Sequence, residues 1–288
     1  MNTINFTRVF NIYEAVQIYK EFKQLDNEES IVFDFANSEF IYANFTALFG
    51  ALIDSCKRYE LIIPKNEKIK TVLSKNNFFP YFDKNIKRLK DKSNSVVEFD
   101  KFELLDTEKQ NSFFEKLLIE NLLKKKGVTN LSEKVLKEVS KSIIELFANA
   151  RDHSASQQGV YIAGQFFPKK GKFDFTIVDL GIGIKQNVNT FKKENLSGEE
   201  AIKWAVQRQN STKTGDPRGL GLALLKELII KSNGKIEILS NDGLYRIKNG
   251  QEDLENLDFC FDGTIVNIEF NIEKNKKYFL EGEITNEN

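Results

Sequence analysis

Phe173-Asp174-Phe175-Thr176-Ile177-Val178-Asp179-Leu180-Gly181-Ile182-Gly183-Ile184 is the stretch on which the fold turns. Phe173 to Val178 is a strand-like run, and it ends in an acid followed by two spaced glycines. An acid at the end of an apolar strand is a carboxylate held at the mouth of a pocket. Gly181 and Gly183 carry no Cβ, so the backbone there can approach a flat ligand closely. A carboxylate so placed can accept a hydrogen bond from an exocyclic amine such as the one adenine carries. Asp and Gly also favour plain β-turns, so the motif has to be read with its neighbours.

Upstream lies Gly159 to Phe167, apolar and aromatic and again strand-like. Before it, Ser132 is a suitable N-cap for a helix whose apolar face falls at Val135, Val139, Ile143, Leu146 and Phe147. Glu145 and Asn149, four residues apart, share another face of that helix, one turn from each other. The Asn oxygen can ligate magnesium, a hard cation that prefers oxygen. The Glu can orient or deprotonate a nucleophile beside a phosphate. A solvated helix face is the alternative for this pair. Farther upstream, Phe113 to Lys125 has helical spacing that Gly127-Val128-Thr129-Asn130 breaks. Lys124 to Lys126 reads as a solvated helix end.

Downstream, a polar stretch leads to Arg218-Gly219-Leu220-Gly221-Leu222, which opens a helix running from Leu220 to Ile230. Glycine-rich backbone at a helix start offers free N–H groups and the positive end of the helix dipole, an arrangement suited to phosphate. Arg218 can add a charge-assisted contact. Ile236 to Ser240, Leu244 to Ile247 and Thr264 to Phe270 look like antiparallel strands, with a hairpin turn at Asn241-Asp242-Gly243. Helices followed by strands suggest an α+β sandwich.

No one of these motifs is specific; their order is. E-x-x-x-N on a helix, D-x-G-x-G after a strand, a loop, G-x-G into a helix and Gly263-Thr264 into a strand together resemble the GHKL ATP-binding fold, over about Ser132 to Phe270. The resemblance implies ATP and Mg2+ as ligands. It implies Asn149 as magnesium ligand, Glu145 as the acid that activates water or assists phosphoryl transfer, and Asp179 as the adenine-reading acid in a pocket shaped by Gly181, Gly183 and Ile184. Gly219, Leu220, Gly221 and Leu222, with Arg218, match the phosphate side. Thr264 matches a threonine that supports the adenine site. Lys185 to Pro217 match the ATP lid, including Ser211, Thr212, Lys213 and Thr214. Asp152, three residues past Asn149, can face the same pocket. His153 is read as capping or packing the helix end.

The N-terminal ninety residues alternate strands and helices, which points to an α/β layer with parallel pairing. Ile31 to Phe35 reads as a buried strand. Phe45, Leu48, Phe49, Leu52 and Ile53 give one apolar face to a helix from about Ala43 to Lys57, Leu61 to Pro64 reads as a strand, and Ile69, Val72 and Leu73 mark a further helix. Ile31-Val32-Phe33-Asp34-Phe35 followed by Phe40-Ile41-Tyr42-Ala43-Asn44-Phe45-Thr46-Ala47-Leu48 resembles a STAS-type domain over roughly Asn2 to Phe82. In anti-sigma antagonists of that type the turn carries a phosphorylatable serine; here Ala43 stands in its place. Asp83 to Asn94 is lysine-rich and reads as a linker or a solvated helix. The expected organisation is a STAS-like α/β module over 1–95, then an α+β two-layer sandwich of the GHKL ATPase type over 96–288 with a helical lead-in.

The chain has 288 residues, 41% of them hydrophobic, which is enough for ordinary buried cores. Its 42 Lys and Arg balance 42 Asp and Glu, so no global field points to nucleic acid or membrane. Cys56 and Cys260 fit no metal spacing and read as buried or incidental thiols. His153 is the one histidine, which excludes a histidine-rich metal site and makes histidine autophosphorylation a poor fit. There is no signal-peptide pattern and no membrane-length apolar run, so the expected location is cytoplasmic. The expected partners are ATP and a regulatory protein, with a homodimer possible. The expected activity lies among an anti-sigma-type kinase or regulator, an ATPase switch and an ATP sensor.

Overall fold

The computed structural model describes residues 2–103, 132–207 and 221–271. The N-terminal part contains β1 (Thr3–Asn5), β2 (Arg8–Val9), α1 (Ile12–Lys23), β3 (Ile31–Asp34), β4 (Phe40–Ile41), a 3-10 turn (Ala43–Phe45), α2 (Thr46–Asp54), β5 (Tyr59–Ile62), α3 (Glu67–Lys75) and α4 (Phe78–Phe82). β1, β3 and β5 form a small parallel sheet in the order β1-β3-β5, with Phe33 of β3 opposite Ile4 and Leu61. The expected parallel pairing is therefore present. Residues 83–95 contain neither helix nor strand.

The second sheet has five antiparallel strands in the order β6-β7-β8-β10-β9: β6 (Val96–Phe102), β7 (Val160–Phe167), β8 (Lys172–Asp179), β9 (Lys235–Lys248) and β10 (Gln251–Asn271). One face, here the front, is covered by α5 (Glu133–His153) and α8 (Gly221–Lys231). Ser132 caps α5 by accepting the Val135 N–H at 3.1 Å, and Val135, Val139, Ile143 and Phe147 pack with Phe175, Ile177 and Ile268 from the strands. Between β8 and β9 run α6 (Gly183–Lys192) and α7 (Gly198–Ala205), the latter closed by a Ser197–Glu200 capping box.

Two expectations are corrected. Asn241-Asp242-Gly243 is not a hairpin turn; it lies inside β9, where Asn241 takes a φ of +53°. The hairpin turns at Asn249-Gly250, both at positive φ, as the turn that matches strand twist requires. Helix α2 begins at Thr46 after the 3-10 turn, and it has no polar side: Thr46 through Ile53 are all buried. Its Phe49 meets Phe6 and Phe35 of the small-sheet layer, while the helix also packs on β7 and β8. A helix sandwiched between two sheets must be apolar all round.

The back face of the large sheet is thus covered by the N-terminal part, and one core runs through both. Ile4, Phe33, Leu48, Tyr161, Val178, Phe261 and Ile265 belong to it. Its seam is polar and paired. The Ala43 N–H donates to Gln165 Oε1 at 2.8 Å, and Asn44 Nδ2 donates to Thr176 Oγ1 at 2.9 Å and Asn267 Oδ1 at 3.0 Å. Asn267 Nδ2 passes on to Glu237 Oε2 at 3.0 Å. Tyr161 Oη donates to Asp54, which also holds Lys101 at 2.8 Å.

Candidate functional site

Strand alternation puts Phe173, Phe175, Ile177 and Asp179 of β8 on the front face. Asp179, the last residue of the strand, stands in register between Val160 of β7 and Thr264 of β10. It is 1% exposed. The Gly181 N–H donates to Asp179 Oδ1 at 3.1 Å, and the Thr264 N–H donates to the same carboxyl. No cation among the described residues offsets it, and burial pushes its pKa up to about 8 against those two donors.

Glycine is required in the turn that follows. A Cβ on Gly181 would lie 1.9 Å from the backbone oxygen of Ser154, the C-cap of α5. The Ile182 N–H donates to that same oxygen at 2.7 Å. A Cβ on Gly263, just before Thr264 and at a φ of +108°, would lie 2.1 Å from the Asp179 backbone oxygen. The end of β8 is thereby pressed onto the end of α5. Asn149 lies five residues before Ser154, about 7.5 Å along the helix axis, with Glu145 one turn further. Asn149 is exposed and Glu145 half-buried, both on α5 as the spacing requires. Asp152 is held by the buried Arg151 side chain, Nε to Oδ1 at 2.7 Å. His153 ends α5; its side chain lies outside the described residues.

Ile184 and the start of α6 are fastened to β9. The Ile184 N–H donates to Ser240 Oγ at 2.8 Å, and the Lys185 N–H donates to Asn241 Oδ1 at 3.0 Å. Asn241 Nδ2 donates back to the Ile182 carbonyl at 3.1 Å, and Lys185 pairs with Asp242 at 2.8 Å. Ser240 Oγ also lies 3.1 Å from Thr264 Oγ1. Gly183, at a φ of +76°, leaves room for the Asn241 side chain. This explains why Asn241 bends the strand instead of turning it: its amide is the receptor for the glycine turn. Ser154, Ser240 and Asn241 were not anticipated as part of the site, and a lone polar residue in a strand carries no signal that would have picked them out.

Asp179, Gly181, Gly183, Ile184 and Thr264 are therefore brought together, at the end of the helix that carries Glu145, Asn149 and Asp152. Gly221 and Leu222 open α8 on the same face of the sheet. Thr214, Arg218, Gly219 and Leu220 lie outside the described residues, as do Ser211 to Lys213, the Gly215-Asp216-Pro217 run and the segment 104–131 that includes Phe113 to Lys125. Of the stretch expected to form the lid, Lys185 to Gln207 is described, and it holds most of α6 and all of α7. Cys56 is half-buried, its thiol pushed up to about 12 mainly by burial, and Cys260 is exposed. Among the described residues no helix is long and apolar enough to cross a membrane.

Comparison with known protein families places this geometry. Residues 135–272 match the family described as Histidine kinase-, DNA gyrase B-, and HSP90-like ATPase. A GHKL-type ATPase domain is thus found in this chain, and such a domain implies ATP binding. No curated protein matches the chain.

Proposed function

We propose that the protein binds ATP with Mg2+ in the front-face site and uses it as an anti-sigma-type kinase or regulator acting on a protein partner in the cytoplasm. The observation that supports this reading is Asp179: a buried acid with two backbone donors and, among the described residues, no cation, set at the end of the helix bearing Glu145 and Asn149. A buried carboxylate without a counter-charge is costly. An exocyclic amine that donates to it would offset that cost, so the acid suits adenine. Gly181, Gly183 and Ile184 line the adenine side, and Thr264 fixes the carboxyl. The exposed Asn149 carboxamide suits a hard cation, and Asp152 stands near it on the same helix. Magnesium, when bound, neutralises phosphate charge. Glu145 orients the attacking group. Arg218, Gly219, Leu220, Gly221 and Leu222 hold the phosphates, and Thr214 belongs to the lid.

The N-terminal part, 1–95, is proposed as a STAS-like module and 96–288 as the ATP module. Pairing these two supports the regulator reading. A half-buried Glu145 beside Asn149 supports a second one, an ATPase switch in which lid closure drives dimerisation or partner capture. Incubation with γ-labelled ATP separates them. Label transferred to protein supports the kinase, released phosphate the ATPase, and binding without turnover a sensor. Glu145→Ala is expected to abolish turnover while nucleotide binding persists; loss of both would remove Glu145 from its assigned role.

A further inference from the structure

Charge is balanced over the chain but unevenly distributed. Residues 57–92 hold eleven Lys and Arg against four Asp and Glu, a surplus of seven in a chain with 42 of each. Part of this charge is engaged locally. Lys57 pairs with Glu28, Lys70 with Glu67 and Arg88 with Glu98, while Arg58 and Lys84 donate to the Glu28 and Tyr81 carbonyls. Lys65, Lys68, Lys75, Lys87, Lys90 and Lys92 have no acid within ion-pair distance among the described residues.

The connection after α4 folds back on α3. The Leu89 N–H donates to the Ser74 carbonyl at 3.4 Å, which brings Lys90 to Lys75, the last residue of α3. Both lysines line a cavity of about 400 Å³ together with Arg88 and Asn94. Two acids also line it, and both are committed elsewhere. Asp91 accepts the Ser95 and Val96 N–H groups at 2.6 and 2.9 Å, and Glu98 holds Arg88. The groove begins beside Val96, which lies across the sheet from Gln165 and Asp174, at the opposite strand end from Asp179.

The geometry points to a nucleic-acid backbone as the ligand of this groove. Lys75 and Lys90 converge there without an ion-pair partner among the described residues, beside acids already engaged by backbone N–H groups or by Arg88, and the cationic excess favours an anion. The unpaired cations are all lysines, point charges that suit phosphate, whereas planar carboxylates are matched best by guanidinium. α3 separates Lys68 from Lys75 by about 10 Å along its axis. A single free phosphate cannot reach both; an extended chain of phosphates can. None of the residues lining the cavity is aromatic, so bases find no stacking platform there and recognition is independent of sequence. This inference does not depend on the nucleotide reading of the front face.

The test is fluorescence anisotropy of the full chain with labelled single-stranded and duplex oligonucleotides of two unrelated sequences, between about 50 and 200 mM salt. Binding is expected to weaken steeply with salt and to be equal for the two sequences. The Lys75→Glu, Lys90→Glu double variant should bind at least about tenfold more weakly and show a salt slope shallower by about two. Lys134→Glu, an exposed change on α5, should bind as the parent does, with circular dichroism unchanged in both variants. No binding at low salt, parental affinity in the double variant, or equal affinity for poly-glutamate would each overturn the proposal.

Discussion

Asp174 and Asp179 are both buried acids of strand β8, five residues apart and on opposite faces. Asp174 lies on the back, under the N-terminal part, with Lys172 Nζ at 3.2 Å; burial raises its pKa to about 7 although that lysine pulls it down. Asp179 lies on the front with no cation among the described residues, only two backbone N–H donors, and is pushed to about 8. On the back face the charge is offset within the chain, Lys172 standing beside Asp174, although Asp174 Oδ1 and Asn44 Oδ1 find no hydrogen-bond partner among the described residues. The front face keeps an acid that no described residue compensates with a charge. The difference teaches where to look for a ligand. A buried acid offset by a cation in cis is architecture, and one without a cation is a place for something else.

The strongest way to test the contrast is Asp179→Asn. A folded-state pKa raised from 3.8 to about 8 means that the neutral acid's contribution is fully present below about pH 4 and is lost as pH rises through 8. The parent without nucleotide should therefore lose stability from pH 4 to pH 9. Asparagine, neutral throughout, removes that part of the slope, on the order of 5 kcal/mol across the range. A shallower slope in the same direction remains from Asp174. Urea unfolding at the two pH values checks this, and the same variant should bind ATP at least tenfold more weakly. A parental slope would mean that Asp179 is already ionised in the fold.

Next in size is Phe261→Ala on the back. Phe261 is fully buried and packs on Tyr19, with ring centroids 4.5 Å apart. Its loss should cost about 3–5 kcal/mol. Because its core joins both sheets, the loss should appear in a single unfolding transition. Two separated transitions would show that the halves fold independently and that the seam is a docking contact only.

Asn44→Ala probes the polar seam. It removes the donor to Thr176 and Asn267 and should cost about 1–3 kcal/mol in denaturant unfolding, with ATP affinity within about twofold of the parent. A larger change in affinity would mean that the back of β8 reports to Asp179 on its front. The smallest effect belongs to Gly250→Ala at the hairpin tip. The added Cβ meets only Ile230, at 3.8 Å, so the cost is the left-handed φ of +74° alone, about 1 kcal/mol. Thermal melting should show a shift of a few degrees at most.

The front face was legible in the sequence because its parts are local. The 3.6-residue period of Val135, Val139, Ile143 and Phe147, and the acid-glycine ending of β8, each declare themselves within a dozen residues. The back face was not. Val96 to Phe102 gives no strand signal of its own within the 96–288 module, since a register shift between Val97 and Asp100 breaks its alternation. Helix α1 was not anticipated, although Asn11 caps it and Ile12, Ala15, Val16 and Tyr19 are buried at helical spacing. The uninterrupted apolar content of α2 held the clue to burial on every side, but which surface would cover it depends on strands more than a hundred residues later. Helices α6 and α7 were hidden by polar composition, since each buries only a few side chains.

The core shared by the two sheets has a consequence for synthesis. Leu48, Phe49 and Leu52 of α2 are completed by Tyr161, Val178 and Ile265. At ribosomal speeds of about 5–20 residues per second, Ile265 emerges roughly ten to forty seconds after Leu52. For that interval the nascent N-terminal part presents an uncovered apolar helix. Slow translation of the last strand, or a break before it, would thus leave a sticky half-built intermediate for chaperones and proteases to find.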